Sequence, residues 1–467
     1  MSITALVLAA GNGTRMKSEK PKVTHEVMGV PMVNLVVEAA RNAGAGRVIV
    51  VTGHQSELVC DCLNKCCCAE YVETVYQADR CGTANAVQLI EGMLTEEERK
   101  GTLVVLAGDV PLIRPETIRT LVDDCVSSNA AMSVLTAKFK KPAGYGRIMR
   151  DTDDHVVGIV EDKDATPEEL KICETNTGTY AFALDGLFER LRRISNDNAK
   201  GEYYLTDIVK VCCDDGLTVR AMRVKDTDET KGVNDRAQLA GVSAALHKRI
   251  TRRWMAEGVT LISPKTTWIG PHVTIDSDVE IWPNTYLRGH TRIGKGSTIG
   301  PDSRVVDSTV GEQVTIDSSI VLESEVGDFC SIGPRSYLRP GCKLETGAKV
   351  GTSCELKNAH LKAGAKVPHL SYIGDATIGK STNIGAGVIT CNYDGFKKSR
   401  TEVGDNAFVG SDVMLVAPVA IGDGAIVGAG SVISRDVPAD AMALERSDQR
   451  NEEGMAKFLR EMSGGDV

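Results

Sequence analysis

Ile269-Gly-Pro-His-Val-Thr-Ile275-Asp-Ser-Asp-Val-Glu-Ile281-Trp-Pro-Asn-Thr-Tyr-Leu287 returns an aliphatic residue every six positions, and the series continues through Ile293, Ile299 and Val305. Val326, Ile332, Leu338, Leu344, Val350 and Leu356 form a second series. Val409, Leu415, Ile421, Val427 and Ile433 form a third, and Leu361, Val367, Ile373, Ile378 and Ile384 lie between them after one-residue slips. A period of six suits neither an amphipathic helix nor an alternating strand. It suits a parallel β-solenoid of hexapeptides, each a short strand plus a corner, with one side chain per hexapeptide pointing inward. Gly often follows that residue (Ile269-Gly270, Ile293-Gly294, Ile299-Gly300, Ile332-Gly333), where a tight turn is expected to require it.

The 467 residues leave room for a further domain, and an aromatic content of only 4% agrees with a solenoid filled by Ile, Val and Leu. A net charge of −9 argues against a general nucleic-acid or membrane-surface binder, so anionic ligands need local basic pockets. The chain opens without a signal-peptide pattern and has no apolar run long enough to span a membrane, which reads as cytoplasmic. Its 14 cysteines lack a disulfide-framework spacing. Cys60, Cys62, Cys66, Cys67 and Cys68 crowd into one expected helix, where small half-buried thiols are the expectation rather than a metal site.

Upstream of the solenoid, residues 3–10 read as a fully buried strand of a parallel sheet. The turn Gly11-Asn-Gly-Thr-Arg-Met16 follows, then Pro21-Lys22, a helix from about Met32 to Ala43, and a strand from Arg47 to Val51. This βαβ unit sets a Gly-rich turn at a strand's carboxyl end, where α/β sheets bind ligands. Gly11 and Gly13 allow close approach of backbone to phosphate, while Arg15 and Lys22 bring positive charge. The turn is neither a dinucleotide fingerprint nor a Walker loop. Asp109 ends another apolar strand, Thr102 to Ala107; it is placed either to hold Mg²⁺ on a nucleotide or to cap the next helix. From about Asn234 to Glu257 a helical arm is expected, with Leu239, Val242, Leu246, Ile250 and Trp254 near one face.

Leu8-Ala-Ala-Gly-Asn-Gly-Thr-Arg-Met16 with Pro21-Lys22 resembles the signature of sugar-1-phosphate nucleotidyltransferases. Gln77, Gly82-Thr83, Gly108-Asp109, Tyr145-Gly-Arg147, Glu161-Asp-Lys163, Asn176-Thr-Gly178, Gly201-Glu-Tyr-Tyr-Leu-Thr-Asp207 and Gly232-Val-Asn234 follow in that family's order. With the solenoid behind it, the chain resembles, over about residues 3–447, the family of bifunctional N-acetylglucosamine-1-phosphate uridylyltransferase/glucosamine-1-phosphate acetyltransferases. The resemblance implies an α/β, Rossmann-like nucleotidyltransferase domain (1–233), a helical linker arm (234–258), a left-handed parallel β-helix acetyltransferase domain (259–447) and a flexible tail (448–467).

In the first domain, the resemblance implies that Leu8, Ala9, Ala10, Gly11, Gly13, Arg15 and Lys22 hold the nucleotide phosphates. Gln77, Gly82 and Thr83 would select uracil, Gly146, Glu161 and Asn176 would bind the sugar, and Asp109 with Asn234 would hold Mg²⁺. Ala107 stands where many relatives carry an aromatic residue. In the second domain Val367-Pro-His-Leu-Ser-Tyr372, Asn383-Ile-Gly-Ala386, Thr390-Cys-Asn-Tyr-Asp-Gly395 and Gly410-Ser411 match the acetyltransferase segments, with Pro368 where Gly is expected. His369 would be the general base. Arg339, Lys357, Tyr372 and Asn383 would bind the sugar phosphate; Ala386, Asn392, Tyr393, Ser411, Ala429 and Arg446 would line the acetyl-CoA site.

The substrates implied are glucosamine-1-phosphate, acetyl-CoA and UTP, and the assembly implied is a homotrimer. The six-residue ruler adds that Arg339 and Lys357, eighteen positions apart, stack on one outer face if three hexapeptides make a coil. His272 and His290 share that spacing without an implied role. Asn392–Arg400 breaks the ruler and should leave the solenoid as a loop. A nucleotidyltransferase with a merely oligomerising solenoid, and a non-enzymatic assembly protein of the same two folds, are two rivals; a third, a pyrophosphorylase using another nucleotide or hexose, is opposed only by what the resemblance implies for Gln77 and the acetyl-transfer half. The residues at His369, Asn383 and Asn392-Tyr393 argue against the first; the intact phosphate turn and Asp109 argue against the second.

Overall fold

The computed structural model describes residues 2–463 except Asn12, Arg80 and Lys141, so the last four residues of the expected flexible tail lie outside the described residues. The chain divides into two compact units, Met1–Arg249 and Ile250–Val467.

The first unit is built on β1 (Ile3–Leu8), the short hairpin β2–β3 (Glu26–Val27 and Val30–Pro31), β4 (Arg47–Thr52), β5 (Val72–Tyr76), β6 (Thr102–Ala107), β7 (Met132–Lys138), β8 (Arg147–Arg150), β9 (Val156–Val160), β10 (Glu174–Ala183) and β11 (Val219–Arg223). Its main sheet runs β11-β7-β10-β6-β1-β4-β5, with β8 attached to β10 and β9. Strands β6, β1, β4 and β5 are mutually parallel, as the apolar runs of the first three predict; β5, with polar and exposed residues, went unread. The sheet is nevertheless mixed, because β10 lies antiparallel between β6 and β7. Both faces are covered. Ala5 and Val7 of β1 join a core with α1 (Met32–Asn42), α2 (Ser56–Asn64) and α4 (Pro115–Ser127). Leu6 faces the other core, with α3 (Thr83–Gln88), α5 (Leu187–Leu191) and α6 (Ile208–Asp214). A strand buried on both sides must be apolar throughout, which is why β1 reads as an uninterrupted hydrophobic run. Truncating a side chain such as Leu6 would cost about 2–5 kcal/mol.

Helix α1 stops at a left-handed Gly44 (φ 98°), whose N–H donates to Arg41 O while Ala45 N–H reaches Ala40 O, the hydrogen-bond pattern of a glycine C-cap. The cysteine-rich segment departs from the expected single helix. Helix α2 carries Cys60 and Cys62 but ends at Asn64, and Cys66, Cys67 and Cys68 lie in the turn beyond it. Helix α7 (Arg236–Ala256) spans the division between the units.

The second unit is a parallel β-helix of three sheets, with 11, 10 and 9 strands. Except at the C-terminal end, where Ile426–Val427 pairs with Met442–Ala443 two strands on, each strand pairs with the third one after it in the chain, so three hexapeptides close one coil. Leu338 opposite Leu356 shows the eighteen-residue step directly. The aliphatic ruler residues are buried throughout.

One expectation needs correction here and a second holds in part. The interior takes not one but two side chains per hexapeptide. A small residue two positions before the aliphatic one is also buried, as at Thr267, Thr285, Thr291, Ser297, Ser303 and Ser336. Cys330, Cys342 and Cys354 occupy this same layer and serve as small packing residues. The Gly that follows the aliphatic residue has two causes: Gly300 (φ 104°) and Gly333 (φ 105°) make the expected tight turn, while others serve close packing. At Gly294, Gly327, Gly351, Gly385 and Gly410 the backbone has no positive φ; an added Cβ would instead collide with the backbone of the next coil. The left-handed corner residue comes later, commonly three positions after the aliphatic one, as at Asp278, Asn284, Asp302 and Asp412, where Asp and Asn tolerate αL best among residues with a side chain.

Residues 392–400 leave the coil as expected: Ser399 N–H donates to Asn392 O at 2.9 Å and Asp394 N–H to Lys397 O at 3.2 Å, closing a small hairpin. Within the expected flexible tail the chain forms a fully exposed helix, α8 (Met455–Met462).

Candidate active sites

In the first unit a cleft of about 400 Å³ opens at the carboxyl ends of β1 and β6, lined by Leu8, Ala10, Gly11, Lys22, Gln77, Gly82, Thr83 and Asp109 among others. Three remote stretches converge there. Lys22 Nζ bonds the carboxylate of Asp109 and also donates to Asn234 Oδ1 at 3.2 Å. Asn234 is fixed by its neighbour, since Val233 N–H donates to Asp109 O at 2.9 Å. Asp109 therefore does not cap the next helix; α4 begins at Pro115 after Arg114 without a side-chain cap. Gly13 is required behind Lys22, where a Cβ would collide with the lysine stem. Ala9 is held in the sheet by its N–H to Val51 O. Arg15 is exposed in a short 3-10 turn, Thr14–Met16, and does not line the cleft.

Gln77 is buried, with its amide nitrogen engaged by Gly82 O at 3.2 Å and Asn85 Oδ1 at 3.0 Å. Its carbonyl oxygen is thereby aimed as an acceptor. The Gly82-Thr83 pair is bound to the Gly201–Asp207 segment: Ala84 N–H donates to Tyr203 O, Leu205 N–H donates to Thr83 Oγ1 at 3.0 Å, and any Cβ at Gly82 would strike Tyr203. Glu202 of that segment lines the cleft, which sequence reading missed although the motif was in view.

Gly146, Glu161 and Asn176 gather beside it. Asn176 N–H donates to Gly146 O at 2.9 Å, Asn176 Nδ2 donates to the Tyr180 hydroxyl at 2.7 Å, and the Thr206 hydroxyl donates to Glu161 Oε1 at 3.4 Å. Burial pushes the Glu161 carboxyl above the ordinary glutamate range, against the pull of Lys200 and Thr206. Burial, with the charge of Asp109, likewise raises the Tyr145 hydroxyl.

In the second unit the ruler resolves into ladders. His369, Ala386, Ser411 and Ala429 each stand two positions after an inward aliphatic residue, in four successive coils. Backbone bonds tie them together: Gly387 N–H donates to His369 O at 3.4 Å, Asp412 N–H to Ala386 O at 2.7 Å and Gly430 N–H to Ser411 O at 2.8 Å. Arg446 closes the series by donating Nη1 to Ala429 O at 3.1 Å. The imidazole of His369 is exposed. Beneath it Gly351 leaves room for the Pro368 carbonyl, so Pro368 is accommodated without breaking the stack.

The next corner carries Arg339 and Lys357 in stacked register, through Arg339 N–H to Leu356 O at 2.8 Å. Arg339 pairs with Glu355 at 3.1 Å, and Lys357 with Asp375 at 3.3 Å. Asp375 also accepts from Asn358 Nδ2 at 2.8 Å and from Asn392 Nδ2, so one carboxylate links Lys357 to the base of the excursion. Burial works upward on Asp375, but these hydrogen bonds and the Lys357 charge outweigh it, and its pKa lies below the ordinary aspartate value. Tyr372 folds its hydroxyl over Gly374, and Asn383 sits in register between Lys366 and Phe408. Tyr393 lies exposed on the excursion, its hydroxyl donating to Gly395 O at 2.6 Å. Asp375 went unread in the sequence; the coil step from Lys357 lands on its neighbour Gly374, which pairs with Lys357 in the sheet.

Residues 5–204 match the MobA-like NTP transferase domain model, and residues 400–435 match the bacterial transferase hexapeptide (six repeats) model. Among the described residues, no helix is long and apolar enough to cross a membrane. The fold and these two matches define a two-part transferase, an NTP-transferase unit followed by a hexapeptide-transferase β-helix. The bifunctional protein GlmU of Heliobacterium modesticaldum is 47% identical over 444 residues, 95% of each chain. Those of Desulfitobacterium hafniense and Carboxydothermus hydrogenoformans are each 44% identical, over 97% of this chain and 98–99% of their own. The chain belongs to the GlmU family.

Proposed function

We propose that the chain makes UDP-N-acetylglucosamine by two transfers at two separate sites. In the second unit the amine of glucosamine-1-phosphate attacks the thioester carbonyl of acetyl-CoA. His369 accepts the amine proton, the C–N bond forms, and CoA leaves as its thiol. Arg339 and Lys357 hold the sugar phosphate as stacked cations, with Tyr372 and Asn383 orienting the ring. Ala386, Ser411, Ala429 and Arg446 offer an elongated edge to acetyl-CoA, with Asn392 and Tyr393 beside it. In the first unit a phosphate oxygen of N-acetylglucosamine-1-phosphate attacks the α-phosphorus of UTP in line, and pyrophosphate leaves. Such a transfer needs alignment and charge neutralisation more than a protein nucleophile.

Lys22 supplies charge to the triphosphate from within the cleft and Arg15 from the exposed turn outside it, Gln77 with Gly82 and Thr83 reads uracil, and Gly146, Glu161 and Asn176 take the sugar. Asp109 and Asn234 would hold Mg²⁺. Their donors are hard oxygens, and a cation, the Lys22 ammonium, already bonds both, which fits the ion's ligand preference. When bound, Mg²⁺ would neutralise phosphate charge. The protein would act as a cytoplasmic homotrimer whose product feeds cell-wall and lipopolysaccharide synthesis in a bacterial host.

One observation carries this reading: the two constellations lie in different compact units, each holding the residue types its own transfer requires. The test follows CoA and pyrophosphate separately, with glucosamine-1-phosphate, acetyl-CoA, UTP and Mg²⁺. CoA is read by chromatography, because 14 protein thiols would react with a thiol dye. Pyrophosphate should appear only when acetyl-CoA is present, or when N-acetylglucosamine-1-phosphate replaces both acetyl-transfer substrates. Neither product forming in folded protein would favour an assembly role instead.

A further inference from the structure

The cysteine-rich turn after α2 is used by neither transfer. Strands β4 and β5 are parallel, so α2 begins at the carboxyl edge of the sheet, where the cleft lies, and delivers Cys66, Cys67 and Cys68 to the opposite edge. The three Sγ atoms all lie within 4.8 Å of one another. Cys67 Sγ and Cys68 Sγ are 3.7 Å apart, and Cys66 Sγ donates to Glu38 Oε1 of α1, also at 3.7 Å. A tetrahedral zinc ion, with Zn–S of about 2.3 Å and Zn–O of about 2.1 Å, has S···S edges of about 3.8 Å and S···O edges of about 3.6 Å. Both observed separations match those edges. The donor count, three sulfurs and one carboxylate oxygen, is that of a closed four-coordinate site.

We propose that Cys66, Cys67, Cys68 and Glu38 bind a thiophilic divalent cation, zinc by preference, which staples the turn after α2 to α1. Binding breaks three S–H bonds, forms three metal–sulfur bonds and one metal–oxygen bond, and releases three protons to solvent. Cys66 is buried while Cys67 is exposed, so the ion enters from the Cys67 side.

The test is a Cd²⁺ titration of the reduced, chelator-stripped full-length protein in weak buffer. The expected result is a thiolate-to-cadmium absorption band that saturates at one equivalent, three protons released per ion, and reversal by Zn²⁺. Cys67→Ser should weaken binding at least about tenfold and lower the proton count to two. Glu38→Gln should weaken binding while keeping three protons. Unchanged pyrophosphate release in the Cys67→Ser protein checks that it is folded, and its failure would not touch the two-transfer reading. No band in the wild type, or a full band with three protons in Cys67→Ser, would overturn the proposal.

Discussion

Glu161 and Asp375 are two partly buried carboxylates whose environments drive them apart. In Glu161 burial dominates, so the native state holds its proton more tightly than the unfolded chain does. Its contribution to stability is present below the ordinary glutamate range and is lost as pH rises through the raised native value. Glu161→Gln should therefore be more stable than wild type at neutral pH, with the gap closing in mild acid, as thermal melts across pH would show. Asp375 carries the opposite sign. Its lowered native value contributes stability above the ordinary aspartate range that is lost as pH falls through that value. Asp375→Asn should melt earlier at neutral pH, converge with wild type in acid, and raise KM for glucosamine-1-phosphate by freeing Lys357 and Asn392. Of the two, Glu161 was legible from its motif. Asp375 was not, because an acid beside a lysine on a solenoid face looks like surface charge until the coil count brings Asn358 and Asn392 to it.

At the level of the element, the repeat is a stack in which backbone touches backbone. Gly351 marks the closest approach near the exposed imidazole, since a Cβ there would overlap the Pro368 carbonyl. Gly351→Ala should thus lower the melting temperature of the β-helix and reduce acetyl transfer by at least about tenfold through displacement of the His369 segment, leaving pyrophosphate release intact. Gly241, exposed in α7 with nothing near its missing Cβ, is the contrasting case. Gly241→Ala should stabilise by about 0.5–1 kcal/mol, read by denaturant unfolding. The six-residue ruler revealed the strands, the coil and the excursion at residues 392–400. It missed the second buried layer because Ser and Thr do not register as core residues. Many of their hydroxyls donate to nearby carbonyls, as at Thr285 to Trp282 O and Thr291 to Arg288 O, although Thr401 Oγ1 has no such partner. The antiparallel β10 was equally hidden, since an apolar run does not reveal strand direction.

For the whole molecule, two compact units with separate constellations imply separable losses. His369→Ala should cut CoA release about 100-fold or more and spare uridylyl transfer, and Asp109→Ala should do the reverse. Loss of both activities in either folded variant would contradict the two-site reading. By the same logic UTP with Mg²⁺ should raise one calorimetric transition and acetyl-CoA the other. Family order made the N-terminal constellation readable in sequence, but its internal wiring, Lys22 to Asn234 or Gly82 to Tyr203, joins residues too far apart in the chain for spacing to reveal. The corner that holds His369, Ala386, Ser411 and Ala429 has a further consequence. Its members are 17, 25 and 18 positions apart in the chain, yet exactly one coil apart in space, because the excursion absorbs the extra residues. The corner is thus a graduated scale with marks about 4.8 Å apart. A molecule laid along it is gauged by how many marks it reaches: a shortened thioester would still lie beside His369 but fall short of Arg446, losing grip without losing chemistry.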